Sequence, residues 1–94
     1  MDKLIYLDHN STTPPDPRVV EAMMPYYNES WGNASSLHQF GRHAKAGLEE
    51  AREIIAKTFN CLPEEIYFTS GGTESDNFAI KGAAYEHQSK GKHI

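Results

Sequence analysis

The sequence predicts an α/β fold whose sheet is incomplete. Residues 65–69 are rich in aromatic and β-branched side chains and predict a strand, which a glycine turn joins to a helix ending near Ser89. The last two residues, His93 and Ile94, have the character of a second strand that has only begun. Because a strand–helix–strand unit pairs its strands in parallel and buries the helix against them, these features indicate an interrupted α/β domain.

A short helix is predicted in the first third of the chain. A brief apolar run at residues 5–7 predicts a strand, and a polar stretch with two prolines follows it. Asp16 and Pro17 have the pattern of a helix start, because aspartate accepts bonds from free N–H groups and proline in the first turn lacks only a donor that has no partner there. Apolar residues recur at helical spacing to about Asn28, and Pro25 is expected to distort the last turn.

The longest helix is predicted from about His38 to Phe59. Its apolar residues recur along one side, and its charged residues fall largely elsewhere. Asn60 can adopt the left-handed conformation that ends a helix. The expected organisation is an arm, a short helix and a loop over residues 1–37, followed by the long helix and the start of a larger domain over residues 38–94.

Composition and charge argue against several classes of protein. The net charge of −4 and the lack of a basic block argue against a nucleic-acid or membrane surface, since attraction to phosphate needs clustered Lys and Arg. No apolar run approaches the roughly 20 residues of a spanning helix, and no secretory signal is visible. The single cysteine, Cys61, cannot form an internal disulfide, which fits a reducing compartment. A cytoplasmic globular protein is expected, with neither nucleic acid nor membrane as a partner.

The turn before the last predicted helix is the segment that points to chemistry. The first N–H groups of a helix have no partners within it, and the helix dipole adds partial positive charge there. A phosphate gains several hydrogen bonds at such a place, and Gly71 and Gly72 let it approach the backbone closely. The Thr73 hydroxyl can donate a further bond. The residues alone leave a second interpretation open, in which the glycines only turn the chain and Thr73 only caps the helix, spaced from Asp76 as in a capping box.

The chain resembles one enzyme family in four ordered blocks. These are residues 6–14 (YLDHNSTTP), 16–19 (DPRV), 32–38 (GNASSLH) and 68–77 (FTSGGTESDN). In order and spacing they are similar to the start of cysteine desulfurases of the nitrogen-fixation and iron–sulfur-cluster type, class V members of the fold-type I enzymes that use pyridoxal 5'-phosphate (PLP). The resemblance implies the N-terminal part of such a transferase, with an incomplete large-domain sheet.

The resemblance also implies which residues bind the cofactor. Gly72 would supply a backbone N–H to the PLP phosphate, and Thr73 would supply backbone and hydroxyl donors. The family's cofactor-binding lysine, its aspartate, its ring-stacking histidine and its mobile cysteine fall beyond the matched segment, so no catalytic residue is expected here. No metal ligand is expected either, because the chain has a single cysteine. Ser11 and Ala34 stand where the family usually has Ala and Pro, and Gly72 where it frequently has Ala.

The activity implied by the resemblance is conversion of L-cysteine to L-alanine, with the sulfur passed on as an enzyme persulfide for iron–sulfur cluster or other sulfur-cofactor assembly. The partners implied are L-cysteine, the remainder of the desulfurase chain, a second copy in a homodimer and a sulfur-acceptor or scaffold protein. The isolated chain is expected to be inactive. Two other interpretations stay open: a different class V enzyme, such as an aminotransferase or a selenocysteine lyase, or a non-catalytic binding fragment.

Other reactive side chains are expected to have structural roles. Cys61 has no basic neighbour in sequence to activate it and is expected to be a small buried or half-buried thiol. His38 and His43 are five residues apart, about 140° around a helix, so a single face cannot present both to a metal. His38 matches a histidine of the family, for which a loop-anchoring or dimer-contact role is expected.

Overall fold

The computed structural model describes residues 2–94, in which all regular structure is helical. Helix α1 runs Pro17–Asn28, α2 runs Gln39–Phe59 and α3 runs Gly72–Glu86, and a short 3-10 helix at Pro63–Glu65 lies between α2 and α3 in the chain. No helix of the described residues combines the length and the apolar character needed to cross a lipid bilayer.

Two compact units divide the chain, Met1–Ala51 and Arg52–Ile94, with the boundary inside α2. The first unit holds the arm, α1 and the start of α2, and the second holds the end of α2, the 3-10 helix and α3. The two units are defined by how compactly their residues pack, which does not test the domain boundary expected between residues 37 and 38. That boundary stays a prediction.

No strand forms within residues 2–94, so the strands predicted at residues 5–7, 65–69 and 93–94 are absent there. Glu65 ends the 3-10 helix, and the next residue, Ile66, has extended backbone with φ −99° and ψ 123°. A strand exists only when its backbone groups pair with a neighbouring strand, and the described residues place none beside these segments. The residue pattern therefore predicted the extended backbone at Ile66 correctly, but the described residues contain no neighbouring strand with which it could pair.

Helix α1 starts as the sequence predicts, with Asp16 as its N-cap. The Asp16 Oδ1 accepts the Arg18 N–H at 2.8 Å. The Arg18 guanidinium also donates to both carboxylate oxygens, at 3.0 and 2.8 Å. These side-chain bonds, and then the backbone bond, lower the pKa of Asp16 below its ordinary value. The first turn of α1 is closed by its own carboxylate.

Pro25 lies inside α1 without ending it. The helix continues to Asn28. The N–H groups of Glu29 and Ser30 both donate to the Pro25 carbonyl, at 2.9 and 2.8 Å. Such sharing of one carbonyl is common at helix ends, so the distortion predicted for the last turn stays a prediction.

The start of α2 lies within one residue of the prediction, and His38 anchors it. The His38 carbonyl accepts the Arg42 N–H at 3.0 Å, and its Nδ1 accepts the Gly41 N–H at 3.3 Å. Gly41 is buried, and a Cβ there would overlap the carbonyl groups of Ser36 and Asn33. The loop before α2 therefore packs directly against the helix backbone.

The end of α2 is closed by a left-handed residue, as predicted. Asn60 has a φ of 54°. The Asn60 N–H donates to the Lys57 carbonyl at 3.2 Å, and the Cys61 N–H donates to the Ala56 carbonyl at 3.0 Å. This pair of bonds around a left-handed residue is a Schellman C-cap, which satisfies carbonyls that the helix leaves without partners.

Very little of the chain is buried. Ala56, 1% exposed, is the one buried apolar residue among those described. Trp31 and Phe40 stack with ring centroids 6.0 Å apart, yet both remain exposed. Met23 and Met24 on α1 are also exposed, so neither pair forms a core within residues 2–94. The amphipathic faces are present, but the described residues do not cover them.

Candidate functional site

The turn that leads into α3 presents a row of backbone donors without acceptors. The N-cap is Gly71, whose carbonyl accepts the Ser75 N–H at 3.1 Å. The N–H groups of Gly72, Thr73 and Glu74 precede this first helical bond, and within residues 2–94 none of them has a hydrogen-bond acceptor. All three residues are exposed. The two residues that the sequence predicted as phosphate ligands, Gly72 and Thr73, thus lie side by side at the open end of a helix.

Thr73 does not cap the helix, so the capping box predicted with Asp76 is wrong. Helix α3 begins at Gly72, which makes Thr73 its second residue rather than its N-cap. Its carbonyl accepts the Asn77 Nδ2 at 2.8 Å, whereas its hydroxyl has no hydrogen bond within the described part of the chain. The helix starts earlier than predicted because a different residue pair closes the turn.

That pair is Ser70 and Glu74. The Glu74 carboxylate accepts the Ser70 N–H at 3.1 Å and the Ser70 hydroxyl through the same oxygen. The hydroxyl bond, and then the backbone bond, lower the pKa of Glu74 below its ordinary value. An ionised carboxylate in the first turn also suits the helix dipole. The spacing of four residues between a serine just before the N-cap and a glutamate in the first turn is the sequence signal that would have identified this bond.

A hydroxyl contact spans the same turn on its other side. The Thr69 hydroxyl donates to the Gly71 carbonyl at 3.1 Å and lies 2.5 Å from the Ser75 hydroxyl oxygen. The turn is therefore closed by side chains on both flanks, and its amides stay open between them. An anion that bound these amides would meet a turn that is already ordered, which reduces the ordering cost of binding.

The two glycines leave the front of the turn clear. A Cβ built on Gly71 or on Gly72 meets no atom of the described chain within 4 Å. Gly71 has φ 167° and ψ 179°, an extended conformation open to any residue. The backbone itself therefore does not require glycine here, and what the missing side chains provide is unobstructed access to the amides. A phosphate fits this donor set, which combines free backbone N–H groups, a free hydroxyl and the positive end of a helix dipole.

Comparison with known proteins identifies the family of the chain. Residues 5–94 match the family described as Aminotransferase class-V. The chain belongs to this family. It is similar to the Cysteine desulfurase IscS of Dictyoglomus turgidum, with 53% identity over 94 residues, which are 100% of this chain and 24% of that protein. It is also similar to the Cysteine desulfurase IscS of Methylococcus capsulatus, with 55% identity over 91 residues, which are 96% of this chain and 23% of that protein.

A solved structure of a "NIFS-LIKE PROTEIN" is similar in backbone to this class V chain. The TM-score is 0.82 at 42% identity, and the match covers 90% of this chain and 23% of that one. The predicted resemblance is confirmed by both kinds of comparison, as is membership of the class V fold. The chain spans about a quarter of the length of the relatives it matches, 24% for the Dictyoglomus turgidum protein.

The N-terminal block of this class V chain forms a closed loop. The hydroxyl oxygens of Tyr6 and Thr12 lie 2.6 Å apart, and the rings of Tyr6 and His9 meet edge to face at 5.1 Å. The N–H groups of Ser11 and Thr12 both donate to the Asp8 carbonyl, at 3.0 and 3.3 Å. Ser11 takes part through its backbone, so the alanine that is usual in the class V desulfurases would preserve the loop.

The remaining reactive side chains lie where structural roles explain them. Cys61 is a half-buried free thiol in the C-cap of α2, as predicted. The His38 ring accepts the Gly41 N–H in the first turn of α2, and its loop-anchoring or dimer-contact role stays a prediction. Among residues 2–94, no three His, Cys, Asp or Glu side chains gather as a metal site would require.

Proposed function

We propose that this chain is the N-terminal part of a PLP-dependent cysteine desulfurase and that the turn before α3 holds the cofactor's phosphate. The observation that carries the proposal is the open row of amides at Gly72, Thr73 and Glu74, within a segment that belongs to the class V family. The similarity to two proteins named cysteine desulfurase, at 53% and 55% identity, supports the choice of reaction.

In this proposal the chain's own residues bind and orient. The Gly72 and Thr73 N–H groups and the Thr73 hydroxyl donate to phosphate oxygens, and the dipole of α3 adds favourable charge. The Glu74 carboxylate, held by Ser70, stabilises the turn that carries these donors. When bound, PLP supplies an electron sink beside the substrate's amino group.

The overall reaction moves one sulfur atom from L-cysteine to the enzyme. A cysteine thiolate attacks the substrate sulfur, the substrate's carbon–sulfur bond breaks, and its electron pair stays on carbon, which takes up a proton. The products are L-alanine and an enzyme persulfide. We assign the attacking cysteine to the rest of the polypeptide, because Cys61 is half-buried within the helix end that it caps.

The finer assignments follow from the same resemblance. We place residues 1–37 as an arm and residues 38–94 as the start of the PLP-binding domain, whose sheet would use residues 66–69 and 93–94 as strands once neighbouring strands are supplied. The complete enzyme would act in the cytoplasm as a homodimer and pass its sulfur to an acceptor or scaffold protein for iron–sulfur cluster or other sulfur-cofactor assembly.

Two other functions compete with this one. A different class V enzyme, an aminotransferase or a selenocysteine lyase, would use the same phosphate site and differ in residues outside this chain. A free-standing binding module would have to function with its apolar helix faces exposed, which is unfavourable because Ala56 is the one buried apolar residue among those described. We therefore favour the desulfurase.

The test compares the isolated chain with the complete polypeptide, meaning this chain joined to the C-terminal remainder that the proposal implies. With PLP added, we expect no visible absorbance of protein-bound cofactor for the isolated chain. We expect both that absorbance and release of alanine from cysteine for the complete polypeptide. Turnover by the isolated chain would disprove its role as an incomplete part. Transamination without persulfide formation by the complete polypeptide would favour the aminotransferase.

A further inference from the structure

Arg52 binds the segment that leads into the phosphate-binding turn. It lies on α2, in the unit Arg52–Ile94, and its side chain is half-buried. Its Nη1 donates to the carbonyl of Ile66, fourteen residues later in the chain. Its guanidinium carbon lies 4.8 Å from the centre of the Phe68 ring, the geometry of a cation–π contact. One side chain thus contacts the segment at two points.

The contacts of this segment alternate between two helices. Phe68 meets Arg52 of α2, whereas Tyr67 meets Phe78 of α3 with ring centroids 5.7 Å apart, and Thr69 lies against Ser75 of α3. Alternation with a period of two is the geometry of extended backbone. Residues 66–69 therefore lie between α2 and α3, with Arg52 as the polar contact on the α2 side.

Backbone pairing does not hold this segment in place within the described chain. The Ile66 N–H donates to the nearby Pro63 carbonyl at 3.1 Å. Residues 67–69 have no backbone–backbone hydrogen bond to any other part of residues 2–94. The position of the segment, and of the turn that follows Thr69 directly, therefore depends on side chains such as Arg52.

We propose that Arg52 is a positioning residue for the phosphate-binding turn: it fixes residues 66–68 against α2, and this fixes where the amides of Gly72 and Thr73 stand. The ligand assignment rests on the proposed function. Arginine suits the task because its planar fork can donate in its own plane to a carbonyl while its face stacks on an aromatic ring. A lysine offers a donor without that face, so it would perform only part of the task.

Arg42 provides a matched control. It lies on the same helix, and its Nη1 also donates to a backbone carbonyl, that of Leu37, at 2.7 Å. It belongs to the other unit and contacts the loop before α2 rather than residues 66–69. Arg42→Met and Arg52→Met each delete a hydrogen bond from a guanidinium to a backbone carbonyl. Only the bond of Arg52 is made to the segment that precedes the phosphate-binding turn.

The experiment measures two properties of the complete polypeptide for the wild type, Arg52→Met, Arg52→Lys and Arg42→Met. The first is the dissociation constant for PLP by equilibrium dialysis, and the second is hydrogen exchange across residues 66–73 without PLP. We expect Arg52→Met to raise the dissociation constant about tenfold, near the lower end for losing a hydrogen bond to a charged group, and to speed exchange in that segment. Arg42→Met should match the wild type in both, and Arg52→Lys should fall between.

The outcomes separate this inference from the function on which it rests. Wild-type affinity and exchange in Arg52→Met would overturn the positioning role, as would equal changes in Arg42→Met and Arg52→Met. If Arg52→Met does not fold, Arg52→Lys decides, because it keeps the charge and a donor; wild-type affinity and exchange there would overturn the role. A wild-type polypeptide that binds no PLP would disprove the proposed function, and the exchange comparison would still test the effect of Arg52 on the segment.

Discussion

The N-termini of α1 and α3 differ in how their first amides are satisfied. At α1, the Asp16 carboxylate accepts the Arg18 N–H and is itself held by the Arg18 guanidinium. At α3, the N-cap is Gly71, which has no side chain to place there, and the first three amides of the helix stay open. A carboxylate already binds a first-turn amide of α1, whereas the first amides of α3 have no acceptor among the described residues and can bind a phosphate. Of these two helix starts, only the N-terminus of α3 is therefore a candidate site.

Adding a carboxylate N-cap to α3, like that of α1, should have the largest effect on PLP affinity. Gly71→Asp places a carboxylate at the N-cap, and the extended backbone and clear space at Gly71 accept the side chain without strain. We expect PLP to bind the complete polypeptide about a hundredfold more weakly, since two like unit charges about 5 Å apart repel by about 3 kcal/mol at the effective dielectric of a protein surface. Equilibrium dialysis measures this. Gly71→Asn, a cap without charge, should lose much less, and equal losses would exclude charge as the reason.

Removing one donor from the open helix start should have an intermediate effect. Thr73→Ala deletes the hydroxyl that has no bond within residues 2–94 and leaves the backbone amide in place. We expect PLP retention to weaken by about 1–3 kcal/mol, the range for losing a hydrogen bond to a charged group. Thr73→Ser keeps the hydroxyl and should stay near the wild type. Unchanged affinity in Thr73→Ala would remove the hydroxyl from the site.

Removing the Asp16 cap of α1 should have the smallest effect, a local loss of helix stability, because the ion pair of Asp16 and Arg18 is exposed. Its bonds to Arg18 lower the pKa of Asp16, so ionised Asp16 stabilises the folded chain above its ordinary pKa of 3.8, and this contribution disappears as the pH falls through the lowered value. We expect Asp16→Ala to speed hydrogen exchange in the first turn of α1 at pH 7, measured in the complete polypeptide.

The difference between Asp16→Ala and the wild type should disappear at strongly acidic pH, after correction for intrinsic exchange. Asp16→Asn keeps a cap acceptor and loses the charge, so it should lie between the two at pH 7. A difference between Asp16→Ala and the wild type that persists unchanged below the lowered pKa would show that the charge of Asp16 contributes nothing.

Local signals in the sequence predicted the helices well. Asp16, Asn60 and the spacing of apolar residues fixed the ends of α1 and α2 to within about a residue, because caps and amphipathic periodicity act over one or two turns. The two predicted phosphate ligands, Gly72 and Thr73, also lie together at the open helix start. The alternative interpretation, in which Thr73 caps α3, was wrong, since the pair Ser70 and Glu74 closes the same turn and the helix starts at Gly72.

The predicted strands were the part that local signals could not decide. Residues 66–69 have the composition of a strand, yet pairing is a property of two segments, and the described chain supplies only one. The contact of Arg52 with Ile66 and Phe68 was invisible for a related reason. It joins residues fourteen and sixteen positions apart, and no periodic pattern marks that separation.

The sequence by itself determined the helices, the caps of α1 and α2, and the family, because each of these depends on residues that are neighbours in the chain; it also proposed Gly72 and Thr73 as phosphate ligands. The tertiary structure decided that the amides of Gly72 and Thr73 have no acceptor within the described residues, and that Arg52 contacts the segment leading to them. These depend on where side chains from separate segments meet in space. Whether a backbone N–H has a hydrogen-bond partner depends on which groups the fold brings close to it.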